Sequence, residues 1–196
     1  KKLQKFYKNL VSKFFNYFYG EIVFSKEYSN NVKFKEVIKG KYKYKFFEII
    51  NGRIFTDYVE NVAIINKNQI LDHVSYQQVK GELKDPSFNC VIRGGTPKFK
   101  KKIVGKVFSL IQGASGNNNY FHWMFDILPR LIILEKFYDI KDIDYFYCAQ
   151  IKQWQLSTLT IFNIGKNKLI DSNSHRHICA DKILAVSHPW YKKGFI

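Results

Sequence analysis

The most constraining feature of the chain is the run NNNYFHWMFDILPRL, which occupies residues 117–131. The run is dense in aromatic and aliphatic residues, and Asn118 or Asn119 can cap a helix that begins after a turn of Gly and Ser. A helical period then continues to about Tyr138. Because this helix is apolar on nearly every side, we expect it to be buried.

Four polar side chains interrupt this apolar helix, namely Asn119, His122, Asp126 and Arg130. The last three stand four residues apart and therefore share one helical face. Burying such groups is costly unless they pair with one another or line a wet cleft. Pro129 is expected to kink the helix beside Asp126, because proline removes a backbone hydrogen bond. Spacing alone allows two interpretations of these polar residues. They line the wall of a cavity, or Asp126 and Arg130 form an internal salt bridge beside a core histidine.

The charge balance is strongly basic, with 32 Lys and Arg against 16 Asp and Glu and a formal charge of +16. One interpretation is attraction to an anionic membrane, a nucleic acid or a phosphorylated substrate. The other is codon composition, since Lys, Asn, Ile, Phe and Tyr are abundant together, as AT-rich codons would supply. Nucleic-acid modules concentrate basic residues on one face, whereas lysine here is spread along the sequence, so we expect no nucleic acid partner.

The cysteines, Cys90, Cys148 and Cys179, match no zinc-site or CxxC spacing. We expect three reduced thiols in a cytosolic protein. No apolar run approaches the ~20 residues of a membrane span, and no signal peptide is recognisable. The chain begins with Lys and ends abruptly at Ile196, which favours a fragment of a longer protein.

Residues 1–50 are predicted to be a basic N-terminal region with an amphipathic helix. The apolar residues of its first 19 positions recur at helical spacing, and they are Leu3, Phe6, Leu10, Phe14 and Phe18. Lysines lie off this stripe or at its edge. Such a helix can lie on an anionic membrane or pack on the domain. Residues 20–50 are predicted to be irregular, with an alternation over residues 41–45 that is typical of an edge strand.

Residues 51–196 are predicted to pass from a β-rich segment to an α/β domain. The predicted strands cover residues 53–55, 59–66, 70–77, 102–112, 145–148, 168–170 and 183–187. A second helix is predicted over residues 154–162, with Gly165 at its C-cap. Strands that alternate with helices after residue 116 indicate an α/β fold with a parallel sheet.

The segment Asn119–Leu131 resembles the signature of glycosyltransferase family 61, which includes bacterial capsule and lipopolysaccharide transferases. The family pattern is Asn-Tyr-aromatic-His-Trp, then an acidic residue, then Leu-Pro-Arg-Leu, and this chain reads NYFHWMFDILPRL. The predicted strands and helices on both sides follow the order expected of the family. The resemblance covers about residues 50–190.

This resemblance implies the N-terminal, Rossmann-like half of a GT-B glycosyltransferase, preceded by a β-rich segment. In the family this half mainly serves the acceptor, and a C-terminal half binds the nucleotide-sugar donor. The chain is expected to stop before that second half, which would leave the fragment inactive alone. The implied activity is inverting transfer of a sugar to a glycan or lipid-linked acceptor in surface polysaccharide biosynthesis. The expected location is the cytoplasm or the inner face of the membrane.

Inverting transfer needs a general base that takes the proton of the attacking hydroxyl. The predicted base is Asp126 or His122, with a preference for Asp126 as base or orienting group and for His122 as a contact to acceptor or sugar. Arg130 is predicted to anchor Asp126, and Asn119 to cap the helix and position His122. His188 follows a predicted strand and is expected to face the cleft, where α/β proteins bind ligands.

The remaining histidines, His73, His175 and His177, are predicted to be structural or surface residues. No metal-ligand cluster or cofactor motif is recognisable, so we expect a nucleotide-sugar as substrate but neither a metal nor a cofactor. Two other functions stay open. One is a non-catalytic, basic and aromatic-rich module that binds nucleic acid or anionic glycan. The other is a structural part of a polysaccharide assembly complex.

Overall fold

A computed structural model of the chain describes residues 2–39, 42–56, 61–79, 82–113 and 119–188. The α-helices are α1 (Lys2–Tyr19), α2 (Val91–Gly94), α3 (Tyr120–His122), α4 (Leu128–Leu134) and α5 (Gln153–Thr160). A π-helical turn, Trp123–Ile127, joins α3 to α4, and we call the continuous segment 120–134 the motif helix. Three short 3-10 helices are Pro86–Phe88, Ile140–Asp142 and Lys166–Lys168.

The first six strands are β1 (Val23–Phe24), β2 (Val32–Lys39), β3 (Tyr42–Ile50), β4 (Arg53–Thr56), β5 (Val62–Asn66) and β6 (Gln69–Ile70). The last six are β7 (Gln77–Val79), β8 (Glu82–Lys84), β9 (Lys101–Ser109), β10 (Tyr145–Cys148), β11 (Leu169–Asp171) and β12 (His177–Val186). In the described part of the chain, ten of these strands form one sheet, and β7 and β8 pair separately.

Strand β12 lies at the centre of the sheet and is paired on both sides. On one side it runs parallel to β9. On the other side residues 177–179 pair antiparallel with β4, and residues 182–186 pair antiparallel with β3. The sheet therefore divides at β12 into a branch that continues through β5, β6 and β1 and a branch formed by β3 and β2.

The chain is a mixed α/β protein whose central strands β12, β9, β10 and β11 all run parallel. The motif helix connects β9 to β10, and α5 connects β10 to β11, so each helix belongs to a β-α-β unit. This confirms the α/β class that alternating strands and helices predict. The carboxyl ends of the four parallel strands lie at one edge of the sheet, where open α/β sheets bind ligands.

Alternate residues of the central strands enter two different cores, as the period of two in a strand requires. Phe108, Phe146 and Leu184 pack with the motif helix and α5 on one face. Their neighbours Val107, Tyr147 and Ile183 pack on the opposite face with apolar residues of β3, β4 and β5. Strands β4 and β5 are buried along their whole length, including the polar residues Arg53, Thr56 and Asn66.

The N-terminal region predicted over residues 1–50 contributes to the same sheet as the rest of the chain. The prediction of irregular structure over residues 20–50 is wrong, since β2 and β3 pair from Val32↔Ile49 to Lys39↔Tyr42. The edge-strand prediction for residues 41–45 is in accord with residues 42–45, which pair with β2 on one side, while pairing with β12 on the other side begins at Phe46. Residue 41 lies outside the described residues. The predicted boundary at residue 50 falls between β3 and β4, two strands that both pair with β12.

Helix α1 packs on the body through a different face from the predicted apolar stripe. Phe15 is its buried residue, and its ring lies 5.2 Å from that of Phe99. Ser12 donates a hydrogen bond of 2.6 Å to the carbonyl of Gly94. Asn16 packs directly on Gly95, whose φ is 64°. A Cβ atom at residue 95 would lie 2.0 Å from Asn16 Oδ1. The predicted stripe is left facing outward.

The residue that caps the C-terminal end of α5 is Asn163, whereas Gly165 was predicted. Asn163, with φ 58°, takes the left-handed conformation that was expected of Gly165, whose φ is −83°. The amide of Ile164 donates to the carbonyl of Leu159, and the amide of Asn163 donates to that of Thr160. These two bonds are those of a Schellman motif, which asparagine can support almost as glycine does.

Candidate active site

The motif helix begins at Asn119, as predicted for one of the two candidate caps. Its side-chain oxygen accepts hydrogen bonds from the amides of Phe121 at 2.9 Å and His122 at 3.4 Å. The backbone of Asn119 is extended, with φ −78° and ψ 122°, so the chain turns into the helix at this residue. The alternative cap, Asn118, and the Gly/Ser turn at residues 114–116 lie outside the described residues. Asn119 thereby fixes the first turn of the helix, on which His122 stands.

The disturbance predicted beside Asp126 takes the form of a π-helical turn. Within residues 123–127 the hydrogen bonds widen, and the amide of Leu128 donates to the carbonyl of Trp123, five residues earlier. Pro129 follows at once and has no amide hydrogen to offer the previous turn. Such single π turns concentrate at functional sites because they change the direction in which side chains leave a helix.

The motif helix is buried on one side only, which corrects the prediction of a fully buried helix. Tyr120, Phe125 and Ile132 are more than half exposed. Its buried residues are Trp123, Asp126, Ile127, Arg130, Leu131 and Leu134. The charged pair therefore lies on the inner side of the helix, and several large apolar residues face outward. Two charged residues thus share the buried face with four large apolar ones, which an ordinary amphipathic helix would not show.

His122 and Asp126 form a direct hydrogen bond between His122 Nδ1 and Asp126 Oδ2 at 2.6 Å. The Asp126 side chain is 3% exposed, whereas that of His122 is 25% exposed. Because Nδ1 donates to the carboxylate, the neutral ring presents Nε2 as its proton acceptor. The pair thus has the arrangement of a carboxylate that fixes the tautomer of an accessible imidazole.

Arg130 lies in the protein interior, one helical turn after Asp126. Its Nη1 group donates a hydrogen bond of 2.6 Å to the carbonyl of Leu110, directly after β9. The guanidinium is fully buried, and burial lowers its pKa to about 10, against the opposing effect of the Asp126 charge. At neutral pH it therefore remains a cation and offsets the charge of Asp126. The predicted anchoring role of Arg130 stays a prediction, and it is in accord with this position.

The segments that follow β9 and β12 meet at the same edge of the sheet. Gln112 is fully buried, and its side-chain amide donates to the carbonyl of Val186, the last residue of β12. His188 is 5% exposed, and its ring centroid lies 6.1 Å from that of Tyr76 in an edge-to-face arrangement. His188 is thus at the predicted edge but packed into the structure, and its role in substrate binding stays a prediction.

Helix α5 packs against the first turns of the motif helix. The indole N–H of Trp123 donates to the hydroxyl of Thr158 at 2.8 Å. The ring of Trp154 lies 5.9 Å from that of Trp123 and 5.4 Å from that of Tyr120. The helix that carries His122 is therefore held by polar and aromatic contacts to the next β-α-β unit.

A cavity of about 280 Å³ opens at the carboxyl ends of β10 and β11, beside the start of α5. Its polar lining includes Lys152, Lys166 and Asp171. A larger cavity of about 340 Å³ lies near the other edge, lined in part by Arg53, Lys100 and Lys102. Neither set was predicted from the sequence. For residues 152 and 171 one sequence signal was present, because polar residues that follow predicted strands often line a binding site. No sequence pattern connected Arg53 with lysines that lie far from it along the chain.

The other histidines have structural roles of different kinds. His177 is 1% exposed and donates Nδ1–H to the carbonyl of Lys98 at 2.9 Å. His175 lies 2.9 Å from the Lys101 ammonium. His73 is not on a strand, as had been predicted, but in a turn with φ 64°, half-buried beside Asp72. Burial lowers the pKa of His73, and the Asp72 charge opposes this effect.

The three cysteines are free thiols, as predicted, and burial raises the pKa of Cys148 to about 12. Across the described ranges, no group of three or more His, Cys, Asp and Glu side chains is placed to hold a metal ion. In the same part of the chain, no helix combines the length and apolar character needed to cross a membrane.

Comparison with known proteins provides no relative from which a role can be transferred. No protein-family model, curated protein or solved structure matches the chain.

Proposed function

We propose that the chain is the acceptor-side, Rossmann-like half of a GT-B glycosyltransferase similar to family 61. The reaction would be inverting transfer of a sugar from a nucleotide-sugar to a glycan or lipid-linked acceptor in surface polysaccharide biosynthesis, on the cytoplasmic side. The observation that carries the proposal is the 2.6 Å bond from His122 Nδ1 to Asp126 Oδ2, formed within the segment that resembles the family signature. The parallel strands around β9 and β10 support it, because they bring this segment to the edge where α/β proteins bind ligands.

His122 is the better candidate for the general base. Asp126 was preferred on sequence grounds, but its carboxylate is almost fully buried, whereas the imidazole reaches the surface. In the proposed step, His122 Nε2 takes the proton of the acceptor hydroxyl while that oxygen attacks C1 of the donor sugar. The bond from C1 to the nucleoside diphosphate breaks in the same displacement, and the diphosphate leaves with its electron pair. Asp126 orients the imidazole and stabilises the imidazolium that forms.

The apolar surface beside His122 supports a sugar as acceptor. Tyr120 and Phe125 are 65% and 52% exposed, and Phe121 packs on Phe125 with ring centroids 4.9 Å apart. Binding sites commonly combine such aromatic surfaces with a few polar groups that fix the orientation of the ligand. The rings would contact the apolar face of a sugar, and the imidazole would meet its hydroxyl.

The test is sugar transfer by the complete gene product, because a GT-B enzyme needs both halves for turnover. Asp126→Asn would remove the negative charge beside His122 and favour the His122 tautomer that cannot accept a proton at Nε2. The kcat should therefore fall by roughly 10²- to 10⁴-fold. Asp142→Asn changes an exposed acid in a short 3-10 helix and serves as the matched control. Near-normal kcat in a folded Asp126→Asn protein would refute the role of the pair.

The same variants separate transfer from a purely binding function. A basic module for nucleic acid or anionic glycan would bind its ligand with steep salt dependence and would be insensitive to Asp126→Asn. Binding of that kind without any transfer by the complete gene product would favour the non-catalytic alternative.

A further inference from the structure

We propose that α1 and the neighbouring segment 98–102, which runs into the start of β9, form a docking surface for anionic lipid membranes. The inference does not depend on the transferase proposal, since it rests on parts of the molecule remote in sequence from the motif helix. We call the outward apolar face of α1 the α1 stripe. Its residues are Leu3, Phe6, Tyr7, Leu10, Phe14, Tyr17 and Phe18.

The α1 stripe is exposed to an unusual degree for residues of this size. Leu3 is 81% exposed, Phe6 62% and Phe18 62%. At 100° per residue, the seven side chains fall within an arc of about 120° along a helix roughly 27 Å long. A contiguous apolar face of this extent marks an interaction surface on a water-soluble body.

The contacts that attach α1 to the rest of the protein explain why the α1 stripe faces outward. Its second half is attached through Ser12, Phe15, Asn16 and Tyr19, on the side opposite the stripe. Its first half projects beyond the body, because the described side chains of residues 2–10 are all exposed. The stripe therefore can meet a flat surface over its full length without any rearrangement of the fold.

The charges around the stripe select an anionic surface. Helix α1 contains lysines but no acidic residue. Lys2 and Lys13 are exposed and lie at the margin of the stripe on the helical projection. Interfacial helices combine an apolar face with lysines that reach the lipid headgroups, and each lysine near an anionic leaflet adds to the attraction.

The segment 98–102 beside α1 repeats this combination of an exposed aromatic ring and lysines. Its sequence is Lys-Phe-Lys-Lys-Lys over residues 98–102, all exposed, with Phe99 80% exposed. Phe99 contacts Phe15, which contacts Phe14 of the stripe, with ring centroids 5.2 and 5.4 Å apart. The segment therefore places one more exposed aromatic ring and the lysines Lys98 and Lys100 beside α1, whereas Lys101 and Lys102 are the first residues of β9. Two separate segments that share this chemistry favour a lipid surface over a single-helix protein partner.

The experiment is co-sedimentation of the 196-residue chain with vesicles of equal parts phosphatidylcholine and phosphatidylglycerol, and with pure phosphatidylcholine vesicles. We expect binding to the anionic vesicles that weakens as salt is raised. The double variant Phe6→Ser/Leu10→Ser should reduce the partition coefficient by about tenfold or more, since two large side chains no longer enter the interface. The control Gln4→Ser/Asn9→Ser alters two exposed residues off the stripe and should bind as the parent does.

Three outcomes would overturn the proposal. One is no binding to anionic vesicles by the folded parent. Another is binding that the stripe variant leaves unchanged. The third is a dimer of the parent, seen by light scattering, that Phe6→Ser/Leu10→Ser converts to a monomer while vesicle binding is absent, which would assign the stripe to a second copy of the chain. Because residues 6 and 10 are exposed, both variants should retain the far-UV circular dichroism of the parent.

Discussion

The Nη1 group of Arg130 donates a hydrogen bond of 2.6 Å to the carbonyl of Leu110, the residue that follows β9. This bond ties the middle of the motif helix to the strand that precedes it. The same buried cation offsets the charge of Asp126, so one side chain serves both the packing of the helix and the electrostatics of the candidate site.

Arg130→Met should therefore destabilise the protein more than an exposed substitution does. Loss of the cation leaves a buried carboxylate without compensation, a change that typically costs about 3–5 kcal/mol. Urea unfolding monitored by circular dichroism measures the free energy of unfolding. Arg93→Met, at an exposed position, is the matched control and should change stability by less than about 0.5 kcal/mol. Equal stability of the two variants would show that Arg130 does not balance a buried charge.

Stability should depend on pH through His177. Burial lowers the pKa of His177 to about 4, with the Lys98 carbonyl opposing the effect, so the folded protein keeps the ring neutral where the unfolded chain, with a usual pKa near 6.5, protonates it. The unfolded state binds more protons between pH 6.5 and 4. The free energy of unfolding should therefore fall by roughly 3 kcal/mol as the pH is lowered through that window and be insensitive to His177 above it.

Urea unfolding at several pH values from 4 to 7.5 tests this expectation. His177→Gln can still donate to the Lys98 carbonyl but does not titrate, so its stability should depend less on pH. His175→Gln removes a half-exposed histidine two residues earlier and should keep the parental slope. An unchanged slope in His177→Gln would assign the pH dependence to other groups.

Asn119→Ala should weaken the start of the motif helix, because the amides of Phe121 and His122 lose their acceptor. The expected loss is about 0.5–2 kcal/mol in the free energy of unfolding. If His122 is the base, kcat of the complete gene product should fall as well, since the first helical turn positions its ring. Asn119→Ser retains a capping oxygen and should restore most of both quantities. An Asn119→Ala protein with parental stability would argue against the cap.

Asn163→Val should destabilise the protein by about 1–2 kcal/mol, because a β-branched residue is strained at the φ of 58° found there. Asn163→Gly should stay within about 0.5 kcal/mol of the parent. The control Asn173→Val places the same side chain at an exposed turn residue outside the left-handed region. Thermal unfolding of the three variants measures the difference in stability. Equal losses of stability for the valine variants at residues 163 and 173 would show that backbone conformation at residue 163 is not the cause.

Local signals were sufficient for several elements of the fold. Asn119 lies before a helical period and forms the expected cap. The apolar run at Tyr145–Cys148 forms the predicted strand, and the alternation of strands and helices gives the correct α/β class. These features depend on residues that are close in the sequence, and pattern reasoning handles such residues best.

Features that depend on distant contacts were missed. The pairing of β3 with β12 was missed because β12 lies more than 130 residues away in the sequence, whereas the β2–β3 hairpin was missed although its pairing is local. The α1 stripe faces outward because Gly94, Gly95 and Phe99 contact the other side of α1. Helical spacing alone predicts that the apolar stripe would be the packed face. Asp126 is buried together with Arg130, whose guanidinium binds the carbonyl of Leu110, and residue spacing alone could not show this burial.

The place of β12 in the sheet has a consequence for synthesis of the protein on the ribosome. β12 is the last strand of the described chain to be made, yet β3, β4 and β9 all pair with it. At ordinary translation rates, the nascent chain waits on the order of ten seconds between completion of β3 and completion of β12. Throughout that interval strands β3 and β9 lack their shared neighbour, so a nascent chain that stalls before residue 177 exposes unpaired strand edges and is at risk of aggregation.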